Sequence, residues 1–394
     1  MMFSLSHKNV SKYLEQSGIF SQQDLLNLKL ELGKLNTKNF SIVVTLQNGH
    51  KFIVKQERPT LSGTFSQEIF NEWQFQKVIN ELPKLNYLKI FVREMLAYDE
   101  DNLIAIYRYL DNYLELHTGI LESKKIFPVT IPAWIGSILG QIHRATFNDE
   151  DAYIYVTQKG SFWQSTGAAF SLLQGRITPE ILSMTSPDYI KFISLYQRFD
   201  SLEQATLEAI SSWQACCIVH NDLNIANILV HQEWEKVKSF TEAQEQSTVK
   251  IIDWERSSWG DPIFDLGNLI ANYILIWLSS MVVDPSMEME ESIKSAEVTL
   301  EDIRPSIVII IQSYLNNFPE ILQHFPNFFK KLLQFIGIAI IIQTQAKIEY
   351  HKLLVNSDIY ALQVAKSLLC RPEISLVSIF GIQEKELTSL IVNS

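Results

Sequence analysis

The sequence predicts an α+β chain, a small antiparallel sheet followed by a larger, mainly helical part. Three observations carry that expectation. Alternating and β-branched apolar runs crowd into the first 110 residues, an Asn-Gly pair joins two of them, and beyond Asp111 apolar residues recur at helical spacing over long stretches. The expected division is 1–110 for the sheet-bearing part and 111–394 for the helical part.

Val10–Gln16 reads as a short helix ended by Ser17-Gly18. Leu28, Leu30 and Leu32 alternate with Lys29 and Glu31, the pattern of a half-buried strand. Phe40–Thr45 is rich in β-branched residues. Asn48-Gly49 follows, a hairpin signal with both central residues at positive φ, and Lys51–Lys55 is the return strand. Thr64 and Gln67 have capping-box spacing and open a helix that reaches Leu82. A further strand pair is expected near Phe91–Ala97 and Leu103–Tyr109. Helices are expected over Ile131–Ala145, Tyr189–Trp213, Asp265–Val283, Ile303–Asn316, Phe328–Tyr350 and Ile359–Leu369. Between them, Cys216–Ile252 reads as short strands and loops, with a charged, solvent-exposed excursion over Gln232–Ser247.

Composition narrows the function classes. With 47% hydrophobic and 20% charged residues, the chain is globular rather than disordered. Its 394 residues give a prior of two to three domains or one large two-lobed unit. The 33 basic and 44 acidic residues leave a net charge of −11, which lacks the basic footprint of a nucleic-acid binder. Cys216 and Cys217 are adjacent and Cys370 stands apart, so no disulfide framework or C-x-x-C metal site is expected. The expected setting is the reducing cytoplasm. Met1–Lys8 has no apolar stretch of signal-peptide length. The apolar segment Ile263–Val283 is interrupted by Asp265, Asn268 and Asn272, so a buried core helix is expected rather than a transmembrane segment.

The segment that carries chemistry is Val219–Val230, where His220, Asp222 and Asn227 form H-x-D-x-x-x-x-N ahead of an apolar strand. A second acid, Asp253, ends the apolar run Ile251-Ile252. Phosphoryl transfer needs both features: a carboxylate to orient and accept the proton of the attacking hydroxyl, and oxygen ligands for Mg²⁺. Singly, Asp222 reads as a turn residue capping backbone amides, Asn227 as a turn residue and Asp253 as a helix cap. Their joint spacing, with apolar strands behind both acids, favours the chemical reading.

On these residues the sequence resembles the aminoglycoside phosphotransferase/choline kinase family. The family's catalytic loop H-G-D-L-H-P-x-N-I-L appears as His220–Leu229. Its metal segment appears as Ile252-Asp253-Trp254-Glu255 with Gly260-Asp261-Pro262 and Asp265-Leu266. The resemblance implies a bilobal protein-kinase-like fold holding ATP and Mg²⁺. Asp222 is then the catalytic base and Asn227 and Asp253 the metal ligands. Lys55 becomes the phosphate clamp and Glu72 its helix partner, with Glu68 the runner-up. Thr37 would meet phosphate and Tyr109 lie at the adenine hinge, Arg108 beside it facing solvent. Asp265 would cap the helix after the metal loop, and His143 would be structural. There are departures. The loop Gly33–Asn39 has a single glycine, Asn221 stands where the family has glycine, and Ile225 where it has proline. The implied reaction is transfer of the γ-phosphate of ATP to a hydroxyl of a small molecule. The alternatives are a Ser/Thr kinase of a peptide in natural-product maturation, and a pseudokinase that binds nucleotide or a partner protein. The acceptor and the oligomeric state are not legible in the residues.

Overall fold

The computed structural model describes residues 3–387, apart from 22, 24, 26–27, 33–38, 60–62, 124–127, 159–169, 171–172, 174–184 and 284–285. Contacts divide the chain into two compact units. The first comprises Met1–Glu115 and Asn227–Ser257, the second Leu116–Ala226 and Ser258–Ser394. The chain thus returns to the first unit for one stretch, where the sequence expectation drew a single boundary after residue 110. Asn227 and Asp253 fall in the first unit and Asp222 in the second.

The first unit is built on a five-stranded antiparallel sheet of order β1-β2-β3-β5-β4. Its strands are β1 (Lys29–Leu32), β2 (Phe40–Thr45), β3 (Lys51–Gln56), β4 (Met95–Asp99) and β5 (Ile104–Arg108). Period-two alternation sorts β3 between the two faces. Phe52 and Val54 join Ile42, Val44, Ile104 and Ile106 against Val10 and Leu14 of α1 (Val10–Gln16). Ile53, and with it Lys55, take the opposite face, where Ala105, Tyr107 and Met95 pack on Ile69 of α2 (Glu68–Glu81). A smaller sheet of β6 (Tyr113–Glu115), β8 (Ile228–His231) and β9 (Val249–Ile251) completes the unit.

Two local expectations are corrected here. Only Gly49 takes positive φ in the hairpin. Gly49 N–H donates to Leu46 C=O at 2.9 Å and Leu46 N–H to His50 C=O at 2.8 Å, a three-residue loop rather than a two-residue one. The Thr64–Gln67 capping box is absent: α2 begins at Glu68, with Gln67 at its N-cap in the left-handed region and no side-chain cap.

The second unit is mainly helical. A short antiparallel pair, β7 (Cys217–Val219) and β10 (Ser258–Gly260), accompanies α3 (Thr130–Thr146), α4 (Pro262–Ser280), α5 (Leu300–Asn317), α6 (Phe328–His351) and α7 (Asn356–Cys370). The helix expected over Tyr189–Trp213 is instead two, Pro187–Gln197 and Asp200–Ser211, because Phe199 between them is extended. By length and composition α4 and α6 pass the test for a membrane span. Their apolar windows are 78% and 67% buried inside the fold, as core helices are. The small antiparallel sheet and the large helical remainder are those expected from the sequence.

Helices α3 and α5 approach through two glycines one turn apart. A Cβ at Gly136 would lie 2.3 Å from Ile310 O, and one at Gly140 2.7 Å from Tyr314 O. Both obstacles are helix backbone, so relief requires the helices to separate. Gly136→Ala is expected to cost about 1–3 kcal/mol of stability in urea unfolding, the range for overpacking a dense core.

Candidate active site

Strand alternation delivers Lys55 to the α2 side of the sheet. There its Nζ lies 3.0 Å from Asp253 Oδ1, joining residues 198 positions apart within the first unit. The Asp253 segment is fastened independently. Trp254 is fully buried and stacks on Phe75 of α2 with centroids 4.0 Å apart and planes 10° from parallel. Its indole N–H donates to Ile251 C=O at 3.0 Å, and Asn71 Nδ2 donates to Glu255 C=O at 3.2 Å. Asp253 itself is held at φ 60°, a left-handed conformation that bulky residues rarely adopt.

A second cation meets the same oxygen. Arg93 Nη2 donates to Asp253 Oδ1 at 2.8 Å, and a parallel bridge between Val92 and Ile251 explains the proximity. The Arg93 guanidinium lies 4.5 Å from the centre of the Tyr107 ring, and the Tyr107 hydroxyl donates to Glu72 Oε2 at 2.6 Å. Glu72, Tyr107, Arg93, Asp253 and Lys55 therefore form one chain of contacts, buried at Glu72, Tyr107 and Arg93 and half-buried at Asp253 and Lys55. Two carboxylates and two cations balance within it, which is the condition for keeping charge out of water. Burial works to discharge Lys55, and Arg93 adds to it, but the Asp253, Glu72 and Glu255 carboxylates together outweigh both and raise the ammonium pKa above its ordinary value. Burial and Glu72 together push the Tyr107 phenol well up, so it acts as a neutral donor. Burial also pushes Glu255 up to about 8, opposed by Lys55 and reinforced by Glu68, Asp253 and Glu72.

These contacts revise the expected Lys55–Glu72 pair: Lys55 is bonded to Asp253, and Glu72 is bonded to Tyr107. Glu68, the runner-up, lies 3.9 Å from the guanidinium of Arg256. Arg93 and Tyr107 were missed by sequence reasoning. The available signal was an arginine between Val92 and Met95, a charge embedded in an apolar run. Tyr109 donates its N–H to Lys51 C=O at 3.1 Å, and the exposed Arg108 pairs with Glu94. Thr37 lies outside the described residues.

Asn227 ends a 3₁₀ turn (Ile225–Asn227), and its C=O accepts from Ile252 N–H at 2.9 Å, which brings it next to the Asp253 segment. Carboxylate and amide oxygens are the hard donors Mg²⁺ prefers, and that ion commonly takes one or two protein ligands alongside substrate phosphates. Among the described residues no group of three or more His, Cys, Asp or Glu could hold a metal ion.

In the second unit the loop that carries Asp222 leaves β7 at His220. Buried Asp265 holds its start: Oδ2 accepts from His220 N–H at 2.6 Å and Oδ1 from Asn221 N–H at 2.8 Å. His143 Nε2 lies 3.2 Å from Asp265 Oδ2, while its Nδ1 lies 3.1 Å from the Tyr314 hydroxyl. The expected helix-capping role of Asp265 is thereby corrected. The cap of α4 is Asp261, whose carboxylate accepts from Ile263 N–H at 3.1 Å and Gln214 N–H at 2.9 Å and pairs with Lys331 at 2.5 Å. Asn221 sits at φ 63°, which gives the family's glycine at this position a physical reason; asparagine tolerates that region. Its side chain donates to Ser258 Oγ at 2.7 Å. Asp222 is half-buried, its N–H donating to His220 Nδ1 at 3.3 Å and its C=O accepting from Asn224 Nδ2 at 3.2 Å. Cys216 and Cys217 are buried, and burial pushes the Cys217 thiol well up, away from reactivity.

Residues 130–288, which include this loop and the Asp253 segment, match the model of the phosphotransferase enzyme family. That stretch is similar to a segment of this family. Among solved structures, choline kinase LicA from Streptococcus pneumoniae is 15% identical, with 92% of this chain and 99% of that one covered and a TM-score of 0.46. A choline/ethanolamine kinase family protein from Mesorhizobium loti is 12% identical over 97% and 99%, with a TM-score of 0.47. Macrolide 2'-phosphotransferase MphH from Brachybacterium faecium is 13% identical over 93% and 99%, with a TM-score of 0.43. No curated protein sequence matches the chain significantly.

Two substitutions test the anchors. Arg93→Met is expected to lower stability by about 2 kcal/mol in urea unfolding, with Arg93→Lys intermediate because it keeps the charge and loses the planar contact with Tyr107. Asp265→Ala leaves two buried N–H groups without their acceptor and is expected to cost about 3 kcal/mol. Circular dichroism melts of both variants beside the wild type check the order.

Proposed function

We propose that the protein is an ATP- and Mg²⁺-dependent kinase that transfers the γ-phosphate to a hydroxyl group of a small molecule. The observation that supports this most is the contact of half-buried Lys55 with Asp253, a cation beside the acid that ends the metal segment. In this reading Lys55 binds the α- and β-phosphates as a point charge, and Arg93 keeps Asp253 oriented while doing so. Asp253 and Asn227 hold the metal, which neutralises phosphate oxygens when bound. Glu72 acts on the site through Tyr107 and Arg93 as a positioning residue. Asp222 orients the acceptor hydroxyl and takes its proton, and Asp265 with His143 keeps the Asp222 loop in place through the N–H groups of His220 and Asn221.

The division of labour is testable. Asp222→Asn keeps size and hydrogen bonding but not the capacity to accept a proton. The variant is expected to retain nucleotide-dependent thermal stabilisation while transfer of labelled γ-phosphate falls roughly 10²–10⁴-fold. Asp253→Ala is expected to remove the Mg²⁺ dependence of nucleotide binding together with turnover. A wild-type protein stabilised by nucleotide that transfers phosphate to no acceptor and to no water would be a binding module instead.

A further inference from the structure

Within the second unit, a cavity of about 970 Å³ opens between α4, α6 and α7. Its wall includes Ile225, three residues beyond Asp222, whose N–H points to Asn272 Oδ1 at 3.5 Å on α4. The volume is that of a site for a drug-sized molecule.

The charges around this cavity are few and largely spent. Lys347 Nζ pairs with Asp358 at 2.7 Å, and Asp358 also accepts from Val355 N–H at 3.0 Å. The other acid in the lining, Glu297, is exposed, as are His117 and His351. Deeper in, the wall is apolar or uncharged: Leu275, Ile276 and Leu278 on α4 face a lining that also has Gln343 and Thr344 on α6. Thr344 is 3% exposed, and its hydroxyl has no hydrogen-bond partner among the described residues. A buried hydroxyl left this way is stabilised by a partner from a bound molecule.

We infer that this cavity seats the acceptor, and that the acceptor is an electrically neutral, hydroxyl-bearing small molecule with an apolar body. The inference rests on the phosphotransferase reading above and adds the substrate class. A quaternary ammonium is recognised by an aromatic cage, and a polyamine by several unpaired carboxylates. Among the described residues this lining has no Phe, Tyr or Trp, and their one acid outside an ion pair is exposed Glu297. An apolar wall with amide and hydroxyl groups instead rewards burial of hydrocarbon and satisfies a few neutral polar groups. In the transfer, the acceptor oxygen bonds to the γ-phosphorus as the bond to the β–γ bridging oxygen breaks. ADP leaves with that electron pair, and the hydroxyl proton passes to the Asp222 carboxylate.

The test measures binding and transfer separately on the full chain. Hexyl β-glucoside is the neutral probe, choline and kanamycin are the cationic ones, and a neutral Ser-containing peptide represents the macromolecular alternative. Hexyl β-glucoside is expected to bind at least about tenfold more tightly than either cation, a difference of about 1.4 kcal/mol. Ile276→Glu is expected to abolish that preference, and Ser279→Glu, at an exposed position of the lining, to shift it toward choline without loss of folding. Choline or kanamycin binding as tightly as the glucoside overturns the inference, as does tighter binding of the peptide, or glucoside binding unaffected by both variants. Phosphate transfer to a cationic acceptor would refute the acceptor class and leave the kinase reading standing. Ile276-dependent glucoside binding without transfer to any acceptor would refute the kinase reading and leave the cavity's preference for neutral ligands standing.

Discussion

One carboxylate oxygen shared by a buried and a half-buried cation governs the first unit. Lys55 comes from the middle of a sheet and Arg93 from the approach to an edge strand, and both reach Asp253 Oδ1. Neither cation is tolerable in a buried setting without its counter-charge, and two of them on one carboxylate demand a second acid nearby. Glu72 is that acid, and it acts through the Tyr107 hydroxyl rather than by direct contact. Sheet, α2 and metal segment are consequently interdependent: a change in the charge of any of these groups leaves another uncompensated.

The second unit meets a similar problem with two buried acids. Asp261 and Asp265 are four residues apart, both wholly buried, and they divide two tasks. Asp261 caps α4 and takes Lys331 as its counter-charge, whereas Asp265 spends its oxygens on the backbone of the Asp222 loop and on His143. The start of the loop is therefore held from α4 through Asp265, while its own His220, Asn221 and Asn224 side chains make the remaining contacts.

Much of this was legible in the residues. The linear pattern around Asp222, Asn227 and Asp253 needs no tertiary information, and the alternation of β3 assigns Lys55 to the face shared with Ile53. Glu72 sits beside the apolar face of α2, which correctly implies burial, but helical spacing does not say which donor it will meet. The partner turned out to lie on β5, a matter of sheet order and register. Arg93 was illegible for a related reason: its approach to Asp253 depends on the Val92–Ile251 bridge, a pairing between segments 159 positions apart. Asp265 was assigned to the wrong backbone because a conventional cap position, Asp261, stood just before it. The hairpin was recognised from Asn48-Gly49, while its loop length depended on which of the two took the left-handed conformation.

The cysteines carry a practical consequence. Cys216 and Cys217 are buried in β7 and the residue before it, whereas Cys370, at the end of α7, retains partial access to solvent. A maleimide dye or spin label offered to the native protein accordingly has one accessible thiol. The wild-type chain therefore serves as a single-site reporter, its probe seated on the helix whose opposite end borders the cavity, with no cysteine needing removal.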